Sequence, residues 1–204
     1  MRLLPCGDRA ILDEVADAAE RRRLDTTLRR RPLPSTVEHV PGARTVLVVA
    51  TAPNALPGIA AALHDLVLDE DDSPDQSDAV VVEVSYDGPD LQSVATHLGI
   101  TPAEVVARHT GQDWTVQFAG FAPGFAYLSG SEGGLDVPRR ESPRTRIPAG
   151  SVGLAGPYSG IYPRPSPGGW QLVGRSDIRL WDPDRDPPAL LTPGRRVRFV
   201  EVSP

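Results

Sequence analysis

The chain has 204 residues, enough for one large domain or two small ones, and its 40% hydrophobic and 24% charged residues are the ordinary balance of a globular protein. A formal net charge of −6, with no basic stripe interleaved with aromatics, excludes general nucleic-acid binding. No apolar run reaches the ~20 residues of a membrane span, the N-terminus lacks a signal-peptide core, and the lone Cys6 rules out an intrachain disulfide, so a cytoplasmic location is expected.

The first half reads as alternating strands and helices. "DRAILDEV" gives a short strand, followed by a helix from about Glu14 to Arg31 with Val15, Ala18, Ala19, Leu24 and Leu28 on one face. "TVEHV" and "TVLVVAT" are β-branched runs joined by the turn signal Pro41-Gly42. A second helix follows, with Leu56, Ile59, Ala60, Leu63, Leu66 and Val67 at helical spacing. This order predicts a small α+β domain of split β-α-β type over residues 1–78. The acidic run Asp69–Asp78 forms its end and is expected to be a solvated linker. "AVVVEVSY" is a strong strand that either completes this sheet or opens the next domain.

Two short helices come next. Pro89-Asp90 and Thr101-Pro102 are start signals, Gly99 and Gly111 are stops, and Thr101 with Glu104 makes a capping box. From Trp114 onward, "WTVQFAGF", "GWQLVGR", "IRLWD" and "RVRFVEV" are short strand candidates separated by glycine and proline turns. Residues 79–204 are therefore expected to form an antiparallel β-barrel or sandwich.

The loops between those strands carry the candidate chemistry. Phe121, Phe125 and Tyr127 surround Pro123-Gly124 and either plug one end of the barrel or wall a pocket. In "VPRRESPRTRIPAGSVG", Pro138, Pro143 and Pro148 stiffen the backbone that carries Arg139, Arg140, Arg144 and Arg146. Those guanidiniums either pair with internal carboxylates or receive a phosphate or carboxylate ligand. The turn around Ser151 offers small residues and backbone N–H groups of the kind that bind anions, but it is no G-x-S-x-G elbow. His109, at a helix C-terminus, is either a dipole partner or a general acid/base. All 21 basic residues are arginine, which removes a Walker A, Schiff-base or biotin-bearing lysine from this chain. The histidines at 39, 64, 97 and 109 have no metal-ligand spacing, and no metal site is expected.

"GFAPGFAYL", "VPRRESPRTRIPAGSVGLAG" and "GIYPRPSPGGWQLVGR", with "GDRAIL" and "PGARTVLVV" upstream, resemble the allophanate hydrolase subunit 1 family over nearly the whole chain. The resemblance implies a small α+β domain followed by a cyclophilin-like barrel. It implies a subunit of ATP-dependent 5-oxoprolinase, which opens 5-oxoproline to glutamate together with a subunit 2-type partner and a third subunit. ATP would be the co-substrate, with Mg. Alternatives within the family are an inhibitor of a sensor histidine kinase and the carboxyltransferase half of a urea carboxylase, which would need biotin carried by another domain. Motif positions carried over are Pro123, Gly124, Arg144, Pro148, Gly150, Ser151, Tyr162, Gly168, Gly169, Trp170 and Arg175. The resulting expectation is catalysis by His109, ligand binding by Arg144, Arg146, Ser151, Tyr162 and Arg175, and a pocket wall of Phe121, Pro123, Phe125 and Tyr158. Tyr158-Ser159 stands where the family often has Gln-Thr, which changes bulk and donor pattern at that wall.

Overall fold

The computed structural model describes residues 2–69 and 78–203. The chain divides into two compact units, Met1–Ser73 and Pro74–Pro204. Except for its two ends, the acidic run expected as a linker lies outside the described residues.

The first unit is a four-stranded antiparallel sheet in the order β1-β2-β4-β3. Its strands are β1 (Arg2–Cys6), β2 (Ala10–Glu14), β3 (Thr36–Pro41) and β4 (Thr45–Ala50). β2 and β3 run parallel on either side of β4, joined by helix α1 (Ala18–Arg30), which is the expected split β-α-β arrangement. Gly42 N–H closes the predicted hairpin on the Thr45 carbonyl. Val46, Val48 and Ala50 of β4 meet Leu24 and Leu28 of α1 and Ile59 and Leu63 of α2 (Leu56–His64) in one core.

Three sequence expectations change here. β1 is an addition, because its "RLLPC" has no alternation and contains a proline, which an edge strand tolerates. α1 begins at Ala18, where the Asp17 side chain accepts from the Glu20 N–H, and it leaves Ala18 and Ala19 exposed. Its buried face instead includes Arg21, Asp25 and Thr27. Val67 lies beyond α2 and is exposed.

The second unit is built on a seven-stranded sheet in the order β12-β9-β10-β7-β6-β13-β5. The strands are β5 (Val80–Val84), β6 (Trp114–Ala119), β7 (Ala126–Gly130), β9 (Ser151–Ala155), β10 (Tyr158–Ile161), β12 (Gln171–Arg175) and β13 (Arg196–Glu201). The two ends of this order meet through one bridge, Ser85 to Arg175, so the sheet curls into a nearly closed barrel. "AVVVEVSY" therefore belongs to this unit, as β5 paired in parallel with β13. "IRLWD" forms no strand and contributes one bridge, Trp181 to Ala189.

Helices α3 (Leu91–Leu98) and α4 (Pro102–Thr110) pack Val94, Ala95 and Val105 into the barrel core with Val82, Val84, Val116, Leu128, Val152, Leu154 and Phe199. α3 ends at Gly99 in the left-handed region (φ 68°), and α4 starts with the predicted Thr101–Glu104 capping box. The proline-rich segments do not stay irregular. β8 (Arg144–Ile147) and β11 (Ser166–Gly168) pair antiparallel as a separate two-stranded ribbon.

Candidate functional site

Strand alternation divides the candidate residues between two faces of the barrel wall. On β7, Ala126 and Leu128 point into the core while Tyr127, and Phe125 just before the strand, point outward. On β9, Val152 and Leu154 face inward and Ala155 outward. Along β10, Ser159 and Ile161 face inward, leaving Tyr158 and the following Tyr162 on the outer face. The outer set forms a continuous aromatic layer. Phe125 meets Tyr127, Tyr162 and Trp170 edge-to-face at centroid distances of 5.1–5.3 Å. Tyr127 stacks on Phe118 at 4.3 Å and meets Tyr158 edge-on at 5.8 Å. Ile147, from the β8–β11 ribbon, packs on the layer.

The rings of this layer range from fully buried to exposed. Tyr162 and Trp170 are buried, and burial pushes the Tyr162 phenol up to about 12 although its oxygen accepts from the Trp170 N–H. Tyr127 and Tyr158 are half-buried. Phe121 covers Phe125 and Tyr162 at 5.3 and 6.0 Å yet remains 57% exposed. It does so with φ at 65°, a left-handed conformation unusual for a residue with a bulky side chain, in the turn before Pro123-Gly124. The turn is fixed by Phe125 N–H donating to the Ala122 carbonyl and Gly120 N–H to the Phe125 carbonyl.

The arginines on the stiff segment separate into two kinds. Asp90 is buried and receives Arg144 through both guanidinium nitrogens at 2.9 and 2.8 Å, Arg140 at 2.8 Å, and the Leu172 N–H at 2.7 Å. Burial acts to raise the Asp90 carboxyl, but these donors and both guanidinium charges outweigh it and hold it below the usual range. Arg139 and Arg146, by contrast, are exposed and have no carboxylate partner among the described residues. The Arg139 charge lies close enough to the outer layer to act on both Tyr127 and Tyr162.

Inside the barrel is a second, enclosed polar cluster. His109 accepts or donates at Nδ1 to the Tyr86 hydroxyl (2.6 Å) and at Nε2 to Ser159 Oγ (2.8 Å), between the rings of Trp114 and Phe199. It is fully buried, and burial lowers its pKa to about 3, so the ring is neutral at physiological pH.

The profile described as carboxyltransferase domain, subdomain C and D, matches residues 1–191. The chain belongs to this family. Among curated relatives of this carboxyltransferase C–D chain, the B component of 5-oxoprolinase from Escherichia coli O157:H7 is 39% identical over 202 residues, covering 95% of this chain and 93% of that protein. The TTHA0988 crystal structure matches with a TM-score of 0.78 at 36% identity, over 96% of this chain and 41% of that one. The present chain thus spans about two-fifths of TTHA0988. The urea amidolyase of Kluyveromyces lactis shares the fold at a TM-score of 0.79 and 23% identity, over 98% of this chain and 15% of that one.

Within this C–D chain the expected site residues do not all gather in one place. Phe121, Phe125, Tyr158 and Tyr162 share the outer layer, and Pro123 lies exposed in the turn that presents Phe121. Arg144 is bound to Asp90, so its guanidinium serves an internal ion pair. Arg146 is exposed on the ribbon. Ser151 is buried, and the turn around it offers no open anion nest: Gly150 N–H donates to the Tyr162 carbonyl and Ser151 N–H to Pro148. Arg175 lies at the barrel seam, in an ion pair with Asp87 at 3.1 Å. His109, expected as the catalytic group, stands fully buried in the core with its nitrogens engaged by Tyr86 and Ser159, apart from the aromatic layer.

Asp90 and Phe118 join the site without having been candidates on sequence, and Arg139 and Arg140, read there among the four guanidiniums, were not in the expected binding set. In sequence, Asp90 signals only a helix start. It does occupy the α3 N-cap, but its side chain makes no cap bond and turns to the arginines instead. A carboxylate beside a proline-fixed turn, in a chain with so many arginines, is the signal that could have found it.

Proposed function

We propose that this chain is the corresponding component of an ATP-dependent 5-oxoprolinase and that it acts in complex with an allophanate hydrolase subunit 2-type partner and a third subunit. The observation that carries the reading is the end-to-end likeness, at 39% identity, to the 5-oxoprolinase component of E. coli. The geometry is compatible with it. The lactam of 5-oxoproline presents an apolar ring edge and a carboxylate. The exposed Phe121 and the half-buried Tyr127 and Tyr158 of the aromatic layer supply the apolar wall, and Arg139 and Arg146 supply uncommitted guanidiniums for the carboxylate or for nucleotide phosphates.

In the reaction, the lactam oxygen takes the γ-phosphoryl group of ATP, releasing ADP. Water then adds to the activated carbon, the C–N bond breaks with the ring nitrogen leaving as the protonated amine, and a second water displaces phosphate from the resulting acyl phosphate to give glutamate. No nucleophilic side chain of this chain is required, and His109 has no part in it. Among the described residues no three His, Cys, Asp or Glu side chains are grouped to hold a metal, so Mg would enter with the nucleotide on ligands of the phosphates and partner subunits. Half-buried Tyr158 in place of a glutamine narrows the wall by an aromatic ring and leaves a hydroxyl in place of an amide.

The test is 5-oxoproline-dependent ADP release by the reconstituted subunits. Activity that disappears when this chain is omitted, and falls at least tenfold in Arg146→Ala with the complex intact, is the expected result. Full activity without the chain would remove it from the enzyme.

A further inference from the structure

Among the described residues, the seam of the barrel has an unpaired edge. β5 lies at one end of the seven-strand order and pairs on one side only, with β13. In a parallel ladder each residue directs its N–H and C=O to one side, and successive residues alternate. The Val84 carbonyl accepts from Val202 N–H on the β13 side, while Ser85 exchanges both of its backbone bonds with Arg175 on the other. Counting back by two, Val81 and Glu83 aim their N–H and C=O groups away from β13. No strand among the described residues pairs there.

What faces those groups is a groove of about 680 Å³ lined by Val81, Glu83, Ser85, Arg175, Asp177 and Ile178, among others. Val81 is 57% exposed, an unusual state for a valine in the middle of a strand. The groove exists because β12 ends at Arg175 and the chain leaves the sheet, so the barrel wall is one strand short below the Ser85 bridge. An open edge of this kind is a template for another extended chain, and proteins that do not use it normally block it.

We propose that this edge receives an extended strand from the subunit 2-type partner, with a basic side chain directed at Glu83 and Asp177. The charge pattern selects the occupant. Glu83 and Asp177 have no cationic partner among the described residues, whereas Arg175 is already paired with Asp87. A second copy of this chain would bring a second Glu83 and no unpaired basic side chain of its own β5 to the same edge, on a protein that already carries a net charge of −6. The same carboxylate that disfavours self-pairing therefore favours a basic strand from a different polypeptide. The Val81 and Glu83 backbone supplies two donors and two acceptors, enough to fix register, and charge supplies selectivity.

This inference rests on the multi-subunit reading above, and the experiment separates the two. The full-length chain is co-expressed with the subunit 2-type partner, and the partner's affinity is measured by biolayer interferometry for wild type, Val81→Pro and Glu83→Arg. Proline at 81 removes the outward N–H without touching the residues that bond β13. Both variants are expected to keep the wild-type melting temperature within a few degrees and to bind at least tenfold more weakly. Hydrogen exchange on the wild type is independent of how the variants fold: the Val81 and Glu83 amides should slow at least tenfold on adding partner. If wild type forms the complex but these amides stay unprotected and Val81→Pro binds normally, strand addition is overturned and the multi-subunit reading survives. If wild type captures no partner, both fall. Protection arising instead in a partner-free, concentration-dependent dimer would reassign the edge to a second copy and overturn the proposal.

Discussion

Removing the Asp90 carboxylate would strand three guanidinium hydrogen bonds and the Leu172 N–H in a largely buried place. Breaking one side of a buried ion pair typically costs about 3–5 kcal/mol, because the charges left behind are uncompensated. Asp90→Ala is therefore expected to lower the urea midpoint of the second unit sharply, and Arg144→Ala to do so by a smaller amount, since Arg140 and Leu172 still satisfy the carboxylate. Arg146→Ala, exposed and unpaired among the described residues, should change stability by less than about 0.5 kcal/mol. Equal stability of Arg144→Ala and Arg146→Ala would contradict this division. The sequence presents all four arginines alike because what distinguishes them lies far along the chain: Asp90 is 54 residues from Arg144. Spacing within a segment carries no trace of such a partner.

At the scale of elements, local signals are legible where the determinant is local. The Thr101–Glu104 capping box, the Gly99 stop and the Pro41-Gly42 hairpin all depend on a few adjacent residues, and all three are present in the structure. The β8–β11 ribbon is not legible, since its two strands are short, proline-bounded and well separated in the chain, and it is held by packing on the aromatic layer. The layer in turn dictates glycine at 160. A Cβ there would lie 3.0 Å from Phe125, from Trp170 and from the Ala126 carbonyl. Gly160→Ala must displace two rings that are themselves interlocked, so a loss of about 1–3 kcal/mol is expected, together with a shifted near-UV circular dichroism signal. An unchanged aromatic spectrum would show that the layer is looser than its contacts imply.

For the whole molecule, two units with separate cores carry opposite responses to acid. In the second unit, native His109 stays neutral down to about 3, while an unfolded histidine takes up a proton near 6.5. Its folded pKa is depressed, so the stabilisation is complete above 6.5 and is lost as pH falls, by on the order of 1.4 kcal/mol per pH unit. In the first unit, Asp13 is fully buried, and burial raises its carboxyl from 3.8 to about 6. Here the folded state holds the proton more tightly, so stability falls as pH rises from about 4 to about 6 and is flat above. Acidification across that window thus weakens one unit and strengthens the other. Trp114, Trp170 and Trp181 all lie in the second unit, so indole fluorescence follows it alone, whereas far-UV circular dichroism follows both. Urea titrations at pH 7 and pH 5 should show the fluorescence midpoint moving down, and the movement should be much smaller in His109→Gln. Asp13→Asn should raise the first-unit transition at pH 7 by on the order of 2 kcal/mol and remove its share of the pH dependence. If wild type and Asp13→Asn respond identically between pH 5 and pH 7, the carboxyl is ionised in both states and its burial is compensated by groups close to it.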